Sequence, residues 1–137
     1  MKENDWEAVS RIYGEGINTR NITIVKELLE KKQWFAEYIK CLVAEYLGNI
    51  IGFAAVNNKM IPEISVYIEN DYHHEGVGSK LLTELQNQND SLRSVIFESN
   101  IPSIRLHKKM GFKKTGSFYF ENDARRVLVY DWEASNE

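Results

Sequence analysis

Ile64-Ser65-Val66-Tyr67-Ile68-Glu69-Asn70-Asp71-Tyr72-His73-His74-Glu75-Gly76-Val77-Gly78-Ser79-Lys80-Leu81-Leu82-Thr83-Glu84-Leu85 decides the fold class. From Glu63 the chain alternates: Ile64, Val66 and Ile68 share one face, and Glu63, Ser65 and Tyr67 the other. That is the period of a strand. A polar turn from Glu69 to Glu75 follows, then a Gly-x-Gly, then Leu81, Leu82 and Leu85 at helical spacing. A strand that passes through a glycine turn into a helix belongs to an α/β protein. Glycines let the backbone approach a ligand closely, and the helix N-terminus offers unpaired N–H groups and a positive dipole end. On this logic the ligand is a phosphate or pyrophosphate. The same residues also suit a plain strand-to-helix turn, and the stretch alone leaves both readings open. No Gly-Lys-Ser/Thr ends the turn, so it is not a P-loop. The third glycine of a dinucleotide fingerprint is missing and the motif lies mid-chain.

Upstream, Asp5 can cap a helix carrying Trp6, Val9, Ile12 or Tyr13, and Ile17 at three- to four-residue spacing. Gly14 and Gly16 predict its end. A second helix is expected from about Ile24 to Ile39, with Trp34 and Phe35 as core candidates. Cys41 to Tyr46 and Ile50 to Val56 read as strands joined by a tight Gly48-Asn49 turn. Downstream, Arg93 to Glu98 is a strand. Pro102 suits the first turn of a helix over Ser103 to Met110, Gly111 stops it, and Phe112 packs back on it. Lys114 to Phe120 and Arg126 to Trp132 pair as a closing hairpin. The order is α-α-β-β-β-α-β-α-β-β, an α/β fold with a mixed sheet.

The 137 residues amount to a single domain spanning 1–137. Apolar residues at 43% and charged residues at 27% make an ordinary globular balance. A net charge of −3 argues against nucleic acid as a partner, while leaving room for one local anion site. The lone cysteine, Cys41, allows no internal disulfide and no cysteine-built zinc site, and it fits a reducing, cytoplasmic setting. No apolar run approaches the roughly 20 residues that span a bilayer, so no membrane association is expected. His73 and His74 are adjacent in a turn and point apart, so no metal is expected either.

A second segment lies about twenty residues beyond the glycine turn. It reads Asn100-Ile101-Pro102-Ser103-Ile104-Arg105-Leu106-His107-Lys108-Lys109-Met110-Gly111-Phe112. With the Gly-x-Gly stretch, it resembles the GNAT acetyltransferase superfamily over nearly the whole chain. The likeness is closest to the phosphinothricin-acetyltransferase-like branch, through Ile12-Tyr13, Gly16-Ile17-Asn18-Thr19, Gly52-Phe53-Ala54-Ala55, the strand from Glu63 and His107. The resemblance implies a mostly antiparallel sheet flanked by helices, and transfer of acetyl from acetyl-CoA to a primary amine of a small molecule such as an amino acid. It implies that Gly76, Val77, Gly78 and Ser79 hold the pyrophosphate. Val66, Tyr67 and Ile68 would line the pantetheine arm, with a strand N–H polarising the acetyl carbonyl. Asn100 would bond the pantetheine with Ser103 nearby. Glu63 would be the general base. His107 stands where many members place a tyrosine general acid, although a helix histidine packed near a sheet is the commoner case. Dimerisation is frequent in that branch, so a homodimer is expected.

The loop departs from the pattern. His73 replaces the usual Arg or Gln, His74 a Gly, and Glu75 an Arg or Lys. Weaker acetyl-CoA binding is expected, with pH dependence through His73 and His74. This loop also fits a non-catalytic acetyl-CoA-binding domain. The short loops before Glu63 and at Glu121 to Ala124 would admit a protein N-terminus or lysine as acceptor. Lys108-Lys109 and Lys113-Lys114 read as solvated helix-end charges, with a secondary role at the CoA 3′-phosphate in view. Arg125-Arg126 could meet an acceptor carboxylate.

Overall fold

Val9, Ile12 and Tyr13 recur at helical spacing, and the helix they form, α1, spans Trp6–Asn18. In the computed structural model, residues 5–18, 38–69, 76–119 and 125–134 are described. α1 runs on through Gly14 and Gly16, past the end expected from the sequence. Glycine costs a helix about 1 kcal/mol per residue. Burial of Val9, Ile12 and Tyr13 against Phe53, Ala55 and Tyr67 outweighs that cost. The second expected helix falls almost wholly outside the described residues. Its last two residues, Tyr38 and Ile39, belong instead to strand β1 (Tyr38–Tyr46).

β1 turns into β2 (Asn49–Asn57), which pairs antiparallel with both β1 and β3 (Ile64–Ile68). The turn sits at Leu47-Gly48 rather than Gly48-Asn49, because Asn49 already pairs with Tyr46. Then come α2 (Val77–Gln88), β4 (Ser91–Phe97), α3 (Ile101–Lys109), β5 (Lys113–Tyr119) and β6 (Arg126–Glu133). The second sheet has the order β4-β6-β5, all antiparallel. α3 stops as the sequence predicts. The Phe112 N–H donates to the His107 carbonyl, and the Phe112 ring is buried edge-on to the His107 imidazole. Leu81, Leu82 and Leu85 of α2 join Ile64, Leu92, Ile96 and Leu128 in the main core. No helix among the described residues is long and apolar enough to cross a membrane.

Among the described residues the two sheets meet through one parallel bridge, Glu63 to Arg93. There the Arg93 N–H donates to the Pro62 carbonyl at 2.8 Å. Beyond it β3 stays with β2 and β4 with β6, and the strands part. The Asn57 N–H bonds the Glu63 carbonyl, and the Glu69 N–H bonds the Ile51 carbonyl. Antiparallel bonding alternates, so Ser65 and Tyr67 also face β2, and Val66 and Ile68 turn their N–H and C=O toward β4. The Arg93 side chain clamps the second sheet. Its Nε and Nη2 donate to the two carboxylate oxygens of Asp131 at 2.8 and 2.9 Å, and Thr115 Oγ1 donates to Asp131 at 2.9 Å.

Two predictions follow from these details. Leu47 is 84% exposed at φ 50, a left-handed conformation that costs a leucine about 1 kcal/mol. Leu47→Asn suits that conformation, and thermal melts of the variant should show a higher Tm. The hydrogen bonds from Arg93 hold the Asp131 carboxyl below its ordinary value of 3.8, with Thr115 adding to the effect and partial burial opposing it. The folded value is the depressed one, so this stabilisation is full above the ordinary value and fades as pH falls through the folded one. Asp131→Asn should therefore melt below wild type at pH 7, and the gap should close in melts run at successively lower pH below the ordinary carboxylate range.

Candidate active site

A cavity of about 940 Å³ fills the gap where β3 and β4 part. Its walls are residues 63–68 at β3, 76–79 at the start of α2, 93–96 of β4, and one face of α3 with its cap. Of the residues singled out from the sequence, Glu63, Val66, Tyr67, Ile68, Gly76, Val77, Gly78, Ser79, Asn100, Ser103 and His107 all line it. His73, with His74 and Glu75, lies outside the described residues. So do Trp34, Phe35 and the turn at 121–124.

Each wall has a local cause. Gly76 takes φ 78 at the N-cap of α2, and among the described residues no side chain caps that helix. Its first N–H groups therefore remain for a ligand. Gly78 faces Leu106 so closely that a Cβ on it would lie 2.7 Å from Leu106 Cδ2. The missing side chain is what lets α2 and α3 close on this end of the cavity. Asn100 caps α3, its Oδ1 accepting from the Ser103 N–H at 3.3 Å. Among the described residues its Nδ2 has no partner and is left for a ligand.

His107 is buried, with Nδ1 2.7 Å from the Ser103 carbonyl. A carbonyl only accepts, so Nδ1 carries the proton and donates. Burial pushes the imidazole below its ordinary value, the bond to Ser103 opposing that only in part. Neutral His107 thus presents a bare, buried Nε2 with no partner among the described residues. Tyr67 contributes to the wall, but its ring is spent in the core, stacked on Phe53 and edge-on to Tyr13. Burial drives the Cys41 thiol up to about 12, and Cys41 is not part of the wall, so it is no nucleophile for this site. Arg126 pairs with Glu98 at 3.0 Å, which occupies one of the two arginines considered for an acceptor.

Asn57, Arg93 and Arg105 are among the wall residues not singled out from the sequence as site residues. Asn57 looked like turn punctuation yet is 7% exposed and bonded to Glu63. Arg93 looked like an ordinary strand residue. Arg105 had a usable signal: Pro102, Arg105 and Lys109 recur at helical spacing, and all three line the cavity. Arg105 and Lys109 have no ion-pair partner among the described residues, while Arg93 is held by Asp131. The segment from Glu69 to Ser79 contains no Lys or Arg, so the unpaired cations at this wall come from α3.

Residues 37–114 match the family described as the acetyltransferase (GNAT) domain. The chain is 29% identical to the Bacillus subtilis protein YwnH, a candidate phosphinothricin acetyltransferase, over 85% of this chain and 83% of that protein. The crystal structure of another candidate phosphinothricin N-acetyltransferase superposes with a TM-score of 0.83 at 27% identity, covering 99% of this chain and 96% of that one. The phosphinothricin acetyltransferase of Sinorhizobium meliloti, solved in complex with AcCoA, shares the fold at a TM-score of 0.85 and 19% identity, over 97% of this chain and 85% of that one. The family match covers more than half of the chain and includes β3, the glycine turn and α3, so the protein belongs to the GNAT acetyltransferases.

Proposed function

We propose that the protein transfers acetyl from acetyl-CoA to the primary amine of a small molecule, an amino acid or a close analogue. The observation that carries this reading is the cavity itself: uncapped helix amides stand at Gly76 to Ser79, and a carboxylate, Glu63, lines the same space. The residues present suit the co-substrate. The glycine cradle would receive the pyrophosphate, and Asn100 Nδ2 and the Val66 and Ile68 backbone would receive the amides of the arm. Arg105 and Lys109 would supply the positive charge that the loop before Gly76 lacks. The small-amine acceptor rests on the likeness to phosphinothricin acetyltransferases.

Bound acetyl-CoA supplies an activated acetyl group as a thioester. An amine attacks only as the free base, so the nitrogen sheds a proton as its bond to the acetyl carbon forms and the carbon–sulfur bond breaks. Glu63 takes that proton, directly or through water. The outward N–H of Val66 or Ile68 stabilises the carbonyl oxygen as charge gathers on it. The leaving thiolate needs a proton in return. A neutral His107 has none at Nε2, so as the donor it would first receive there, through water, the proton that Glu63 took from the amine, and then pass it to sulfur. Alignment of the two reactants in the cavity provides much of the rate.

Calorimetry with acetyl-CoA is the first test. Wild type should bind at micromolar levels, and Gly78→Trp, whose side chain would meet Leu106 and force α2 and α3 apart beside the cradle, should not bind. Arg105→Gln with Lys109→Gln should weaken binding about tenfold, the scale of one charge-assisted bond. No wild-type binding up to millimolar acetyl-CoA would end the reading. A thiol-release assay over amino acids, phosphinothricin and an alanine-ended peptide then identifies the acceptor. Turnover with the free amino compounds is expected. Turnover with the peptide alone would make the protein a protein N-acetyltransferase instead, and binding without turnover on any of them would make it a non-catalytic acetyl-CoA-binding domain.

A further inference from the structure

We infer that Asn57 is a positioning residue that aims the Glu63 carboxylate, an inference that rests on the role proposed above for Glu63. Asn57 ends β2 and is one of three buried polar residues among those described, with Ser94 and His107. Its backbone N–H donates to the Glu63 carbonyl at 3.1 Å. Its side-chain Oδ1 accepts from the Glu63 N–H at 3.0 Å and from the Lys59 N–H at 3.3 Å. Its Nδ2 donates to Glu63 Oε2 at 3.4 Å. One buried side chain thus grips both the backbone and the carboxylate of the residue six positions on.

The bonds divide into two roles. The two that Oδ1 accepts tie the turn that brings the chain back from β2 to β3. Closing the turn needs nothing from Nδ2, which is directed at the carboxylate. Lys59 Nζ reaches the same Oε2 at 3.1 Å, but its side chain is 62% exposed and stands in a turn whose tip, Met60, is 99% exposed. Asn57 is therefore the buried donor and Lys59 the solvated one. With both donors on Oε2, Oε1 has no hydrogen-bond partner among the described residues. Oε2 is the held oxygen and Oε1 is the one left to meet an amine or water. Arg93, across the strand bridge, is the other charge near Glu63, and its guanidinium is spent on Asp131.

Asn57→Asp separates the two roles. It keeps an acceptor for both N–H groups that Oδ1 binds and replaces the donor to Glu63 with a second carboxylate, so Oε2 is repelled where it was held. The variant should stay folded but melt below wild type at pH 7, keep its KM for acetyl-CoA, and lose about tenfold in kcat, in line with a misaimed reacting group. Because Asn57 acts through Glu63, Asn57→Asp should cost nothing further in a Glu63→Gln background. An unchanged kcat in Asn57→Asp, or an equal loss with and without Glu63, would overturn the inference. Wild-type activity of Glu63→Gln alone would instead remove the role of Glu63, a different failure with a different signature. Amide exchange by NMR needs no acceptor: the Glu63 N–H should be protected in wild type and Asn57→Asp and exposed in Asn57→Ala. Free exchange in wild type would equally overturn the inference.

Discussion

Arg93 is the residue on which the architecture turns. Its backbone N–H reaches across to Pro62 and fastens β4 to the foot of β3, while its guanidinium grips Asp131 on the central strand of the second sheet. Two sheets are thereby joined at one point and free to diverge from it. A continuous ladder between β3 and β4 would consume the N–H and C=O groups of Val66 and Ile68. A single bridge leaves them facing a cavity. The ordinary cost of unpaired strand edges becomes the polar lining of the site.

The glycines complete that lining from the other side. An uncapped helix start is a weak point in most proteins, with several N–H groups unsatisfied. Here Gly76 turns the chain into α2 without a capping side chain, and Gly78 lets Leu106 come against the helix. Those donors stand at one end of the cavity and Glu63 lines it too. The positive charge is placed in the same way: the turn before Gly76 has no Lys or Arg, and Arg105 and Lys109 of α3, without ion-pair partners among the described residues, stand at the wall instead.

Much of this was legible in the sequence because local chemistry and fold agree there. Alternation around Val66, the glycine pair, the leucines of α2 and the Pro102-to-Gly111 helix each depend on neighbours a few residues away, and each lies where its pattern puts it. The misreadings share the opposite cause. α1 passes through Gly14 and Gly16 because Phe53 and Tyr67, distant in sequence, bury its first turns. Tyr38 and Ile39 read as helix but belong to β1, where Tyr38 pairs with Asn57 of β2. Arg93 gave no local sign of its role, since both of its partners, Pro62 and Asp131, are some thirty or more residues away.

Asn57 shows why a polar residue at a turn is hard to read. Asn57-Asn58-Lys59 has the composition of a solvated connection, and Asn58 and Lys59 are indeed exposed. Burial distinguishes Asn57. A buried amide must satisfy its donor and acceptor at once or carry the cost of leaving them bare. In this turn the acceptor side finds two backbone N–H groups and the donor side finds a carboxylate oxygen. The need to satisfy one buried side chain thereby fixes the direction of a second. The proposed base of the reaction is thus aimed by the donor side of an amide whose acceptor side closes the turn.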